Sequence, residues 1–132
     1  MYITMNSDYA LRAMMRLAEE GNGIIIPIAQ ISKSAEIPEA FLRKIVPRLQ
    51  KAGLIRTSRG NQGGISLARP AHSISVLDIL IPVEESLSMH RCVLDDSDCH
   101  RKNFCAMQTV WQDINDEVRH LLADRTLQQL VS

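Results

Sequence analysis

Residues 38–68 read PEAFLRKIVPRLQKAGLIRTSRGNQGGISLA, and the change of period within them decides the fold. Leu42, Ile45, Val46 and Leu49 recur at helical spacing and lay one apolar stripe along a helix, with Arg43, Lys44 and Lys51 largely off it. Pro38 suits the first position of that helix, where its missing N–H is no loss, and Gly53 suits the position just past its end. Pro47 lies inside it and deletes a backbone hydrogen bond, at a cost of about 3 kcal/mol. Because the stripe continues to Leu49, a kink is expected there rather than two helices. Beyond Gly53 the pattern shortens to two strand-like runs, 54–58 and 65–68. Arg59-Gly60-Asn61-Gln62-Gly63-Gly64 joins them, a loop rich in residues that tolerate positive φ.

Working outward, residues 8–20 form a helix by the spacing of Leu11, Met14, Met15 and Ala18, with Asn6 or Ser7 as its cap and Gly21-Asn22-Gly23 as its stop. Residues 1–5 suit an extended arm. Ile24-Ile25-Ile26 is a brief β-branched run, and Pro27 opens a short helix to about Ser34. Ala35-Glu36-Ile37 is a turn-length gap before Pro38. Downstream, Ser75-x-x-Asp78 is a capping box for a helix to about Val83. Residues 86–104 have no period and read as a loop. Met107, Val110, Trp111, Ile114, Val118, Leu121 and Leu122 then mark a long amphipathic helix, 105–122, with a final turn at 126–131 packed behind it. The fold class expected is mainly α: a winged helix-turn-helix with a small two-stranded wing and a long C-terminal helix. The division is 1–84 (helix-turn-helix about 28–51, wing 55–68), a loop at 85–104, and the helix and closing turn at 105–132.

Net charge is zero, yet the charge is unevenly placed. Residues 1–37 carry −1 and residues 73–132 carry −5. Residues 38–72 carry +6, from Arg43, Lys44, Arg48, Lys51, Arg56, Arg59 and Arg69 against Glu39 alone. One strongly basic face suits double-stranded DNA touched from one side. A helix that buries its stripe leaves the opposite face free for a major groove. There Arg43 can fork onto guanine, while Lys44 is placed for phosphate. Arg56 and Arg59 lie on the wing, and Gly60 and Gly63 keep its tip slim enough to approach a minor groove.

Three cysteines, Cys92-x6-Cys99-x5-Cys105, directly precede the long helix. An odd count argues against a closed disulfide framework, and clustering within fourteen residues argues against unrelated core thiols. Iron–sulfur ligation by three thiolates and one other ligand fits; so do a zinc site, or a disulfide plus a spare thiol. No catalytic triad, phosphate loop or acid pair appears, and small electron carriers usually use four cysteines, so an enzyme or ferredoxin is not expected. No run approaches the roughly 18 apolar residues of a membrane span. A cytoplasmic location, where thiols stay reduced, is the expectation.

Together these residues resemble the winged-helix iron–sulfur regulators of the IscR, NsrR and RirA type. The resemblance is carried by Ser7-Asp8-Tyr9-Ala10-Leu11-Arg12, Phe41-Leu42-Arg43-Lys44, Gly53-Leu54-Ile55, the wing Arg59-Gly60-x-x-Gly63-Gly64-x-x-Leu67-Ala68-Arg69, Ile79-Leu80 and the cysteine trio. It implies a cytoplasmic homodimer, paired through the 105–122 helix with Trp111 at or beneath the interface, on a palindromic operator. It also implies a cluster on Cys92, Cys99 and Cys105 that sets DNA affinity. IscR-like members carry a histidine ligand where this chain has Gln108, and their first cysteine gap is commonly five residues rather than six. Both departures favour a 4Fe–4S cluster over 2Fe–2S. Asp8 matches the position from which NsrR-like proteins donate a carboxylate across the dimer. His90 and His100 read as exposed loop residues and stand next in line as ligands.

Overall fold

The computed structural model describes residues 3–84, 87 and 105–132. Six α-helices and one hairpin are assigned among them: α1 (Met5–Glu20), α2 (Ile28–Ser34), α3 (Glu39–Lys51), β1 (Ile55–Ser58), β2 (Gly64–Leu67), α4 (Val76–Leu80), α5 (Ala106–Asp124) and α6 (Leu127–Val131), with a 3-10 turn at Ala71–Ser73. This is the mainly helical, winged arrangement expected. The 85–104 loop, with Cys92, Cys99, His90 and His100, lies almost wholly outside the described residues.

The α3 stripe behaves as its spacing dictates. Leu42, Ile45, Val46 and Leu49 are buried against α1, and the helix runs unbroken through Pro47. Pro38 sits one position earlier than expected, as the N-cap. The helix ends in a Schellman motif: Gly53 has φ +78°, its N–H reaches the Gln50 carbonyl at 3.0 Å, and the Leu54 N–H reaches Leu49 at 3.1 Å. The α2 terminus uses the same device, with the Ile37 N–H on the Ser32 carbonyl at 2.9 Å, but there Glu36 takes the left-handed position at φ +56°. The Arg12 guanidinium donates to the Glu36 carbonyl at 3.1 Å and so supports that turn from α1.

β1 and β2 pair antiparallel with Ile55 opposite Leu67 and Ser58 opposite Gly64; β1 starts one residue later than expected and β2 lies one residue earlier. Ile26 adds an isolated rung on the other edge of β2, exchanging both backbone hydrogen bonds with Ile65 at 2.9 Å. That rung ties the wing to the start of α2.

Three sequence expectations are corrected. The N-cap of α1 is Thr4, whose hydroxyl accepts from the Ser7 N–H, and not Asn6 or Ser7. The Ser75–Asp78 capping box forms, but α4 ends at Leu80 and continues only as a turn to Val83. The closing α6, boxed by Thr126 and Gln129, packs on α1 and the 3-10 turn rather than behind α5; Leu127 is fully buried there. α5 packs against α4 with Trp111, Val118 and Leu122 half-buried, and Asn115 is its only buried residue. Met107, Val110, Ile114 and Leu121 are exposed.

Candidate nucleic-acid interface and cysteine site

At about 100° per residue, burying Leu42, Ile45, Val46 and Leu49 turns Ala40, Lys44, Pro47 and Lys51 outward. Glu39 and Arg43 fall on the flank facing the wing. Arg43 borders a cleft of about 320 Å³ shared with Pro27, Ile28, Thr57, Ser58 and the wing glycines. Its guanidinium, 60% exposed, pairs with Glu39 one turn earlier at 3.5 Å. Lys44 is exposed, and its ammonium rests 5.9 Å from the Phe41 ring. Phe41 in turn lies 5.7 Å from Tyr9, over which Arg12 sits at 5.6 Å. Two cations therefore flank an aromatic pair that joins α1 to α3.

On the wing, Arg56 projects from β1 opposite Ser66, and Arg59 begins the exposed tip. Gly60 has φ +99°, and a side chain at Gly63 would collide with the Ser58 carbonyl, so both glycines are required by the shape of the tip. Of the six residues expected to meet DNA, Arg43, Gly60 and Gly63 border that one cleft, while Lys44 lies beside Phe41 on α3 and Arg56 and Arg59 are exposed on the wing.

Two arginines that add to the basic count are committed within the fold. Arg48 donates to the Val83 carbonyl at 3.2 Å, and Arg69 donates to the Ser73 carbonyl. The contact that governs Arg48 lies 35 residues away, and no local pattern signals it.

Of the candidate cluster ligands, Cys105 and Asp8 are described. Cys105 is half-buried at the N-cap of α5, its carbonyl accepting from the Gln108 N–H at 3.1 Å. Asp8 pairs with Arg12 at 2.8 Å with 46% of its side chain exposed. One residue that sequence reasoning missed is Glu84. Its carboxylate accepts from the Thr4 N–H at 2.8 Å, the Thr4 hydroxyl at 3.0 Å and the Ser7 hydroxyl at 2.5 Å. Burial raises its pKa, but the Ser7 and Thr4 hydrogen bonds outweigh that and hold the carboxyl below the usual 4.5. The chain entering the cysteine segment is thereby fastened to the start of α1.

Comparison with known proteins bears on this arrangement. The chain is 31% identical over 132 residues to the HTH-type transcriptional regulator IscR of Vibrio parahaemolyticus, covering all of this chain and 78% of that protein. Among solved structures, CymR, the global cysteine regulator of B. subtilis, superposes with a TM-score of 0.80 at 27% identity, covering 99% of this chain and 96% of that one. IscR of T. potens superposes with a TM-score of 0.75 at 28% identity, covering 98% and 86%. Its named relatives are transcriptional regulators and not enzymes. The Rrf2 profile, described as an iron-dependent transcriptional regulator, matches residues 3–132, and the chain belongs to that family of helix-turn-helix transcriptional regulators.

Proposed function

We propose that this chain is a cytoplasmic, homodimeric repressor whose affinity for a palindromic operator is set by a 4Fe–4S cluster. The ligands are Cys92, Cys99 and Cys105 of one subunit and Asp8 of the other. The observation that carries the reading is the conjunction in one chain of an exposed basic face on α3 and the wing with a cysteine trio that ends at the first turn of an apolar-faced helix. Iron–sulfur clusters are held by cysteine thiolates, and Cys105 stands at the N-cap of α5, where the trio meets the helix. The Asp8 carboxylate, on an exposed i,i+4 pair, is held weakly enough to exchange Arg12 for a metal. When bound, the cluster supplies iron whose state responds to nitric oxide, oxygen, iron supply or redox poise.

Dimerisation is supported by Met107, Ile114 and Leu121, spaced by seven with Val110 between, all exposed on the flank of α5 beside its half-buried residues. A heptad stripe of this kind pairs with a second helix. Two subunits on a two-fold axis present two reading heads and therefore read matched half-sites. Arg43, Lys44, Arg56 and Arg59 supply the contacts, and Gly60 and Gly63 the slim wing tip.

A second reading is favoured by the likeness to CymR, whose solved structure is described as that of a cysteine regulator. In it the same fold uses its thiols by oxidation, or holds zinc, without an iron–sulfur cluster. Anaerobic purification separates the two. Iron and sulfide in stoichiometric amounts, with the visible absorption lost on Cys92→Ser, Cys99→Ser or Cys105→Ser, support the cluster. A colourless protein with zinc, or with no metal and peroxide-dependent DNA binding, supports the alternative. A monomer at micromolar concentration refutes the dimer.

A further inference from the structure

Glu39 is the lone acid among the eight charged residues of the basic 38–72 stretch, and it stands at the first residue of α3. Residues at the N-terminal end of a recognition helix are the ones that reach base edges. Glu39 lies on the same flank as Arg43, and the two are paired at 3.5 Å with 44% and 60% of their side chains exposed. So long and exposed a pair is weak and rearranges readily. It is also a matched donor and acceptor, one helical turn apart, whose donor, Arg43, lines the cleft between α3 and the wing.

We propose that Glu39 is a specificity-determining residue that reads a cytosine amino group beside the guanine read by Arg43. This rests on α3 being the groove-reading helix. As Arg43 swings onto guanine O6 and N7, the Glu39 carboxylate loses its counter-ion in a groove bordered by phosphates. Cytosine N4 is a major-groove donor that a carboxylate accepts from, whereas thymine and guanine offer acceptors at the corresponding position. Thymine or guanine at that position leaves the carboxylate desolvated and unpaired, so Glu39 rejects those sequences as much as it selects the right one. The same charge weakens indiscriminate binding to phosphate.

The test is selection from a randomised duplex pool by the full-length protein, prepared anaerobically, with Glu39→Gln run in parallel. The wild type enriches a cytosine in each half-site next to the guanine whose preference Arg43→Ala abolishes. Because glutamine pairs with adenine N6 and N7, Glu39→Gln shifts that one position from cytosine to adenine. Its affinity for the wild-type duplex then falls roughly tenfold relative to scrambled DNA. A bulk-charge role instead gives identical base profiles and one common tightening on every duplex, which overturns the proposal and leaves the DNA-reading assignment intact. A wild type that enriches no sequence overturns both. The side chain is exposed, and an unchanged melting temperature confirms that Glu39→Gln folds.

Discussion

Gly64→Ala is the substitution on which the wing's attachment to the helix-turn-helix stands or falls. A methyl group there points at the carbonyl carbon and oxygen of Ile26 and the Cα of Pro27, all within 3 Å and all backbone, so no side chain can rotate away. Relief requires β2 to move off Ile26, which breaks both 2.9 Å hydrogen bonds of the Ile26–Ile65 rung. At about 0.5–1.5 kcal/mol for each bond, the loss is about 1–3 kcal/mol. Partial exposure of Ile26 and Ile65, now 3% and 0% accessible, adds on the order of 1 kcal/mol. The expected destabilisation is about 2–4 kcal/mol, or a fall in melting temperature of roughly 8–16 °C for a chain of this size. Gly60→Ala is the control: its surroundings are open, and only the left-handed φ of +99° counts against it, at about 1 kcal/mol. Thermal and urea unfolding of both variants give the comparison. DNA affinity measured well below the transition should also fall for Gly64→Ala, because the wing and α2 no longer share one frame. A Gly64→Ala protein melting with the wild type, or no lower than Gly60→Ala, would refute the Ile26–Ile65 attachment of the wing.

Arg48 and Arg59 should separate by salt dependence. Arg59→Ala lowers the slope of log affinity against log salt by about one unit, as for a lost phosphate contact, whereas Arg48→Ala leaves the slope unchanged and costs about 1 kcal/mol of stability through its bond to the Val83 carbonyl. Chemical denaturation at several pH values tests Glu84. Its folded pKa lies below the unfolded 4.5, so the stability it contributes is present above 4.5 and is lost as pH falls through the lower, folded value. Glu84→Gln should therefore weaken the protein at neutral pH and flatten the acid limb of its stability curve; an unchanged acid limb would show that the Thr4 and Ser7 contacts are not sensed by the carboxylate.

Much of this protein was legible because its signals are local. The α3 stripe, the C′ glycine at Gly53 and the Ser75–Asp78 box each involve residues within about four positions of one another, and the fold honours all three. The placement of the basic residues was legible too, since α3 and the hairpin are adjacent in sequence and all six residues proposed to meet DNA lie on or between them. What the charge count could not show is that Arg48 and Arg69 also each donate an N–H to a backbone carbonyl of the fold.

What the sequence determined by itself was therefore the class of fold, the order of its parts and the clustering of its basic residues, all consequences of periodicity and short-range backbone chemistry. The tertiary structure decided which of several equivalent local choices was used. Ser7 could have capped α1, but a carboxylate 77 residues away claims its hydroxyl, and Thr4 takes the cap. Ile26 reads as one of three interchangeable isoleucines until Ile65 pairs with it across the wing. The apolar positions of α5 read alike, yet contact with α4 half-buries Trp111, Val118 and Leu122 and leaves Met107, Val110, Ile114 and Leu121 exposed. In each case the deciding partner lies far along the chain, and its energy enters only when the chain has closed the loop that brings it near.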